Sequence, residues 1–432
     1  MTAKVKLFLR TLHHTYMSIK NPSTLILFAV CFTGAFAQQV DTAAVRKWHQ
    51  DLEFAVSTLK AKHANLYHNI SEKDFADKVT TLQRSIPLLT EVEINFEFLK
   101  LFSSIGDVHT SYTGGLGKKW LPIRVNVFSD GVFIISCPRE LNMIGAKIIS
   151  VDGMEINEVI QKIGTVVPHE NEAGVKSYFP LFFPRPMMLK YLGIISSTDK
   201  VTLVLEKAGK RETVSITAAD TAPDESAWTT VNPKMKHQLY QKNQEKAFWS
   251  KYLKDEKTYY LKCNRVVSES DGSFAKFFKE AFDSVLNLDV KKLVLDLRNC
   301  RGGDDPEYRP VLAKLLHALE AKKLNNKESF YVIISRETAS AAQHLVNDIE
   351  YLANATFIGE PTSQNVHFYS DSRAFKLPNS QRDFRVAVGF LQNYVPSPFE
   401  KRTSKEPDIN VGFRFSDFGT AEDPIMNYIR TH

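Results

Sequence analysis

Two short apolar runs in the second half of the chain, residues 292–297 and 330–334, each end in a turn of small and polar residues. Residues with the three-and-four spacing of helices lie between and after them, so strands alternate with helices from about residue 253 onward. This alternation predicts parallel strands with crossover helices, whose carboxyl ends gather functional groups at one edge of a sheet. We therefore expect an α/β domain over residues 253–432, with its chemistry at these two turns.

The first turn carries Gly302 and Gly303, shortly after the strand ending that contains Asp296 and Arg298. Glycine lets backbone amides come close to a ligand, as a site that binds an oxyanion requires. Asp296 and Arg298 are better interpreted as an ion-paired or capping set that holds the strand end than as catalytic groups.

The second turn presents Ser340 among small neighbours, in the segment Thr338-Ala339-Ser340-Ala341-Ala342, directly before a helical pattern. A serine at a strand-to-helix turn exposes its hydroxyl near a helix N-terminus, which suits a nucleophile. Serine is also a favoured helix N-cap, and for this motif alone the capping interpretation is the stronger one.

Four motifs occur in a set order along the chain. They are Asp296-Leu297-Arg298 with Gly302-Gly303, then residues 338–342, then Gly359-Glu360-Pro361-Thr362, and finally Pro407-Asp408-Ile409. This order resembles the tail-specific (carboxy-terminal processing) protease family over about residues 100–412. The resemblance implies a serine peptidase with a crotonase-like (ClpP/crotonase) catalytic domain, and a peptide or protein substrate. It also implies Ser340 as the nucleophile, an oxyanion hole formed by Gly302 and Ala341, and no metal or organic cofactor.

One position departs from the usual pattern of that family. Members with a Ser-Lys dyad have a lysine 25 positions after the serine, where this chain has Asn365. The segment 106–110, with His109, instead resembles the D-G-H-T element of the tricorn-like branch, in which a histidine faces the serine. Imidazole, with a pKa of about 6.5, can take the serine proton at neutral pH. The resemblance therefore implies a Ser340–His109 pair.

The sequence leaves the identity of a third catalytic residue undecided between several candidates. In the tricorn-like branch a late glutamate supports the site; Glu400 is the closest match in position, and Glu406 directly precedes Pro407. Either could equally be a solvated loop acid. His367 provides a second imidazole near the site in sequence.

The preceding residues predict further domains. Apolar residues recur at helical spacing over residues 41–117, with a helix start at Ser71, so we expect an N-terminal helical domain that carries His109. Short β-type runs over residues 118–218, with the turn Asp152-Gly153, resemble a PDZ-like module, a class that binds extended peptides at a sheet edge. Residues 219–252 are predicted to form a connector between this module and the α/β domain.

The N-terminus has the order of a secretory signal peptide over residues 1–37: a basic stretch, a short apolar run and Ala35-Phe36-Ala37. An uncleaved membrane anchor is the alternative. We expect an exported protein, periplasmic or extracellular. Four of the basic residues behind the net charge of +6 lie in this segment, and no dense basic face argues for nucleic acid. The oligomeric state is not predicted.

Two other functions remain open from sequence. A binding protein with the same fold and an impaired site would explain the missing lysine, while Ser340, His109 and the glycines favour an enzyme. A carbohydrate or ester hydrolase is disfavoured because the chain lacks a G-x-S-x-G motif and an evident carboxylate pair.

Overall fold

The computed structural model describes residues 41–432 except 222–223, 225, 227, 232–237, 270–271 and 392–399. The predicted signal segment, residues 1–37, lies outside the described residues. Within them, the strands assemble into sheets of three, six and seven strands. The mixed α/β class expected from the sequence is confirmed.

The described chain begins with α1 (Thr42–Lys62), α2 (Glu72–Ser85), α3 (Glu91–Ser103) and the short strand β1 (Ser111–Thr113). Each helix starts after a polar residue, Asp41, Ser71 or Thr90, whose side chain accepts backbone N–H bonds from the first turn. These bonds satisfy donors that have no partner inside the helix. The helical segment and the helix start at Ser71 are as the sequence predicted.

Antiparallel strands follow: β2 (Arg124–Phe128), β3 (Gly131–Pro138), β4 (Lys147–Val151), β5 (Met154–Glu155), β6 (Lys200–Lys207), β7 (Lys210–Thr217) and β8 (Trp228–Thr230). Asp152 and Gly153 join β4 to β5 with φ values of 46° and 87°, the positive pair that a type I′ turn needs. The helices between β5 and β6 are α4 (Ile156–Gly164), α5 (Glu172–Phe182) and α6 (Pro186–Tyr191). The predicted strands, turn and first helix of this region are all present.

The remaining elements are β9 (Phe248–Leu253), β10 (Thr258–Cys263), α7 (Phe274–Asn287), β11 (Lys292–Asp296), α8 (Asp305–Ala321), β12 (Phe330–Ile334), α9 (Ala341–Leu352), β13 (Thr356–Gly359), β14 (Phe368–Lys376), β15 (Asp383–Leu391), β16 (Ile409–Asn410) and α10 (Pro424–Thr431). Six of these strands form one sheet in the order β16-β13-β12-β11-β10-β9, parallel throughout except for β9.

Strand β9 corrects the predicted connector over residues 219–252. It pairs with β10 along six residues, and Phe248 and Trp249 are buried. The polar residues before it suggested a linker, but a tight turn at residues 254–257 folds this segment back as an antiparallel edge strand.

Alternate side chains of the parallel strands enter two different cores, as the period of two in a strand requires. Leu293 and Leu295 pack on the side of α7, α8 and α9, whereas Val294 packs with Ile425 of α10 on the other side. The crossover helices place the carboxyl ends of β11 and β12 side by side, and both motif-bearing turns follow these ends.

The three-stranded sheet joins the N-terminal helices to the later chain. Strand β1 pairs with β15, with Tyr112 opposite Phe384, and β15 pairs with β14. Phe102 of α3 contacts Phe384 edge to face at 5.6 Å. Because β1 begins two residues after His109, this pairing holds the histidine against the α/β region.

Residues 41–432 pack as one unit. The domain boundaries predicted between the helical, β and α/β regions therefore stay predictions. No helix in the described ranges is long and apolar enough to cross a membrane.

Candidate active site

Ser340 lies between β12 and α9 in a backbone conformation that ordinary residues rarely adopt. Its φ and ψ are 55° and −128°, and its side chain makes no capping bond to the helix. A non-glycine residue held at positive φ is strained, and strain of this kind concentrates at functional sites. The Ser340 side chain therefore does not cap α9, which was the alternative interpretation of this motif. Its hydroxyl is free to bind another side chain.

The partner of that hydroxyl is His109. Nε2 of the imidazole lies 3.1 Å from Oγ of Ser340, within hydrogen-bonding distance. The structure thus brings together the two side chains that the sequence analysis paired, although 231 positions separate them.

Hydrogen bonds fix the loop that carries His109. Asp107 accepts a bond of 2.6 Å from the Thr110 N–H and contacts Nε2 of buried His63 at 2.8 Å. Thr110 in turn accepts from the Ala387 N–H of β15 at 3.0 Å. Burial lowers the pKa of His109 from its usual value, with the charge of Asp107 opposing this effect. The imidazole is therefore neutral at neutral pH.

Gly302 lies directly against the serine turn. A Cβ at this position would be 2.6 Å from Cβ of Ser340 and 2.8 Å from the Ala341 nitrogen, and its φ is 100°. Ala341 is the first residue of α9, so its N–H has no acceptor inside the helix. The two predicted oxyanion residues thus adjoin Ser340. The Gly302 N–H also lies against the Cys300 sulfur.

Backbone and hydroxyl bonds join the two turns. Oγ1 of Thr338 donates to the Leu297 carbonyl at 3.1 Å, and the Ala339 N–H donates to the Cys300 carbonyl at 3.2 Å. These bonds connect the end of β11 to the residues immediately before the serine. The position of Gly302 relative to Ser340 follows from them.

A buried ion cluster holds the end of β11, as expected for Asp296 and Arg298. Arg298 donates to Asp296 from Nε at 3.0 Å and to both carboxylate oxygens of Asp423 at 3.1 and 2.7 Å. Tyr260 donates to Asp296 at 2.6 Å. Burial alone would raise the pKa of Asp296, but the charges of Arg298 and Lys262 outweigh it and keep the carboxyl ionised.

A cavity of about 190 Å³ opens beside the serine. Its wall includes His109, Tyr178, Arg301 and Ser340, with Pro168 and His169 from the segment before α5. Arg301 is bound to Glu337 and to Oγ of Ser177, so its charge is compensated. The cavity is large enough for one side chain of a bound substrate beside the hydroxyl.

Two polar side chains that were not predicted from the sequence lie beside the pair: Gln364 contacts both of its members, and Glu170 contacts Gln364. Oε1 of Gln364 accepts from the Ser340 N–H at 2.5 Å, and its Nε2 lies 3.2 Å from Nδ1 of His109. The same Nε2 donates to Oε1 of Glu170 at 3.1 Å, and the Asn365 N–H donates to Oε2 at 2.9 Å. Burial of its carboxyl raises the pKa of Glu170 to about 8.

Residues 257–410 match the family model described as Peptidase family S41. This region belongs to peptidase family S41. The match over residues 257–410 supports a serine peptidase, and the predicted resemblance to tail-specific proteases is confirmed. The match includes Ser340, Gly302 and Gln364, whereas His109 and Glu170 lie before it. No match is found among the curated proteins.

Solved structures extend the likeness beyond the S41 region. The structure of mature CPAF complexed with lactacystin aligns with a TM-score of 0.62 at 13% identity, covering 90% of this chain and 98% of that one. The crystal structure of mature CPAF aligns with a TM-score of 0.61 at 13% identity, covering 90% and 96%. At this identity the likeness concerns the fold.

The S41 site does not bring every predicted residue together. Glu400 binds Arg402 at 2.7 Å, and Glu406 accepts from Oγ of Ser404 at 2.5 Å. Arg402 lowers the pKa of Glu400 to about 2. Within the described residues, neither acid contacts His109 or Ser340. The prediction that Glu400 supports the catalytic pair therefore has no hydrogen bond or ion pair in its favour.

His367 and Asn365 also lie off the Ser340–His109 pair. The ring of His367 packs edge-on against Phe390, with the centroids 6.3 Å apart. Asn365 contributes its backbone N–H to Glu170 rather than a side chain to the serine. Gln364 directly precedes the position of the family's lysine, and this neighbourhood was the one sequence signal that could have identified it. No sequence pattern distinguished Glu170 from other glutamates.

The three cysteines of the described chain lie in its interior. Cys137, Cys263 and Cys300 are free and buried, with the sulfurs of the last two 3.8 Å apart. Across the described part of the chain, no group of three or more His, Cys, Asp or Glu residues could hold a metal ion.

Proposed function

We propose that this S41 chain is an exported peptidase that hydrolyses peptide bonds through an acyl-enzyme on Ser340, with His109 as the general base. The observation that carries the proposal is the 3.1 Å contact between Oγ of Ser340 and Nε2 of His109. An imidazole with a lowered pKa next to a strained, uncapped serine is the arrangement that an activated hydroxyl needs.

The proposed reaction starts with transfer of the Ser340 hydroxyl proton to Nε2 of His109 while Oγ attacks the peptide carbonyl carbon. The carbonyl oxygen becomes an oxyanion, which backbone N–H groups at Gly302 and Ala341 stabilise. The C–N bond then breaks as the leaving amine takes the proton from Nε2. Water, deprotonated by the same imidazole, hydrolyses the ester and restores Ser340.

We further propose finer identities for two regions of the fold. The parallel sheet with α7, α8 and α9 as crossovers supports a crotonase-like catalytic domain. The antiparallel sheet with a turn at Asp152 and Gly153 followed by α4 supports a PDZ-like module. Its strand β2 is an edge strand, as required for adding a peptide strand.

Export is proposed from the sequence of residues 1–37. Cleavage after Ala37 would leave Gln38 as the first residue of the mature chain. N-terminal sequencing of protein recovered from the cell envelope or the medium tests this directly. A mature chain that still begins at Met1 would favour the membrane-anchor alternative.

Labelling with a fluorophosphonate tests the hydrolytic proposal, because such probes phosphonylate an activated serine. We expect folded wild-type protein to be labelled and Ser340→Ala to be unlabelled. Ser363→Ala is the matched control, since Ser363 borders the same cavity without contacting His109, and it should label normally. Loss of labelling in Ser363→Ala alone would assign the nucleophile elsewhere.

A second candidate function is a ligand-binding S41 member that does not hydrolyse peptides. Residue 365 is asparagine instead of lysine, and the Gln364 amide nitrogen faces Nδ1 of His109. Both features favour a site that does not hydrolyse peptide bonds. Folded wild-type protein that fails to react with the fluorophosphonate at any pH between about 5 and 10 would support this alternative.

A further inference from the structure

Gln364 contacts His109 on the side of the ring away from Ser340. Its Nε2 lies 3.2 Å from Nδ1, whereas the imidazole Nε2 faces the serine. A neutral histidine that accepts a proton at Nε2 has to carry its own proton on Nδ1. The group that contacts Nδ1 therefore selects between a reactive and a resting tautomer.

Two other contacts fix the orientation of the Gln364 amide. Its oxygen accepts from the Ser340 N–H at 2.5 Å, and its nitrogen donates to Oε1 of Glu170 at 3.1 Å. Turning the amide over would set its NH₂ against the Ser340 N–H and its oxygen against a carboxylate oxygen. With Glu170 ionised, only the observed orientation satisfies all of these groups.

This orientation has a consequence for His109. An amide NH₂ directed at Nδ1 favours Nδ1 as a hydrogen-bond acceptor, which places the ring proton on Nε2, facing Oγ of Ser340; the backbone of Tyr369 is a further hydrogen-bond partner of the ring. In that tautomer Nε2 cannot take the serine proton. The geometry is that of a resting site.

Glu170 is positioned to change this state. Its carboxyl faces the Asn365 N–H at 2.9 Å, the Val108 N–H at 3.5 Å and the Gln364 amide, and Asp107 is the charged group nearby. Burial raises its pKa to about 8, and the charge of Asp107 acts in the same direction. A neutral Glu170 accepts the hydrogen bond from the Gln364 NH₂ more weakly than an ionised one does.

Resting on the proposed function, we propose that Glu170 and Gln364 are positioning residues that set the tautomer of His109. An ionised Glu170 holds the Gln364 NH₂ towards Nδ1 and keeps the site at rest. A neutral Glu170 holds the NH₂ less strongly, so that the amide nitrogen can move away from Nδ1, the ring proton can occupy Nδ1, and Nε2 becomes free to take the Ser340 proton. The ring can exchange its proton with water, so the change of tautomer involves no net gain or loss of a proton.

The test measures the second-order rate constant for fluorophosphonate labelling between about pH 5.5 and 9.5 in the full chain. We expect the wild-type rate to fall by up to about tenfold per pH unit above about pH 8. Glu170→Gln, a neutral variant of the same shape, should keep its rate through pH 9.5. The matched control is Glu172→Gln, whose carboxylate is exposed and paired with Lys176, and it should follow the wild-type profile.

The outcomes separate this inference from the proposed function. Wild-type protein that does not react at any pH contradicts the proposed function. Wild-type protein that reacts, but with an alkaline decline that persists unchanged in Glu170→Gln, overturns the role of Glu170. Thermal unfolding of each variant establishes that the compared proteins are folded.

A spectroscopic measurement reports the tautomer itself. ¹⁵N shifts of the His109 ring, assigned with His109→Gln, should show the proton on Nε2 in wild-type protein above about pH 9. In Gln364→Glu, a carboxylate would face Nδ1, and the proton should move to Nδ1. A wild-type ring with its proton on Nδ1 at that pH would overturn the proposal even if both variants change the rate.

Discussion

Gly302 and Ser340 are so close that residue 302 has no room for a side chain. A Cβ there would lie 2.6 Å from Cβ of Ser340 and 2.8 Å from the backbone oxygen of Ala339. Both neighbours belong to the strained turn before α9, so neither can yield without moving the nucleophile. The glycine is required by this approach as well as by its positive φ.

Gly302→Ala should therefore lower the rate of fluorophosphonate labelling by about 100-fold or more, because the serine turn and the proposed oxyanion donors are displaced together. The variant should still fold, which circular dichroism and thermal unfolding can check. Gly272→Ala is the matched control, since a Cβ there meets nothing within 4 Å. Labelling of Gly302→Ala at the wild-type rate would separate this loop from catalysis.

His109→Ala should reduce labelling of Ser340 by about 100-fold to 10,000-fold, the usual contribution of a general base. Burial lowers the pKa of His109, so the imidazole stays neutral to lower pH than an exposed histidine. The acid side of the wild-type rate profile should consequently have its midpoint below the ordinary value of about 6.5. His367→Ala provides the matched control and should leave both rate and midpoint unchanged.

Glu400→Gln should change the labelling rate by less than about twofold, because the Glu400 carboxylate is bound to Arg402 and not to His109. Its pKa of about 2 keeps it ionised across the working range, so no pH dependence should arise from it. Rates from pH 5 to 9 measure both points. A tenfold loss without unfolding would restore the late glutamate to the catalytic set.

Arg298→Met should destabilise the protein by about 3–5 kcal/mol, since it leaves Asp423 buried without its cation and Asp296 with Lys262 alone. Urea unfolding followed by fluorescence gives this difference. The comparison is Asp289→Asn, which breaks the exposed pair with Lys257 and should cost less than about 1 kcal/mol. Equal effects of the two substitutions would mean that the buried cluster does not hold the end of β11.

Much of the local structure could be predicted from short stretches of sequence. The parallel strands β11 and β12, the helix start at Ser71 and the turn at Asp152 and Gly153 depend on residues near one another in the chain. Apolar periodicity and turn chemistry encode such elements directly. Strand β9 was missed because its pairing with β10 outweighs the polar residues that precede it.

The alternation of strands and helices, the glycines at the end of β11 and the serine before α9 are local patterns, so they could be predicted from the chain alone. The surroundings of His109 depend instead on how distant segments pack together. Glu170 contacts Gln364 across 194 positions and Gln364 contacts His109 across 255, whereas Glu400, the closest match in position, pairs with Arg402 two residues away. Contacts between distant segments depend on how complete elements pack, and no spacing along the chain records that packing.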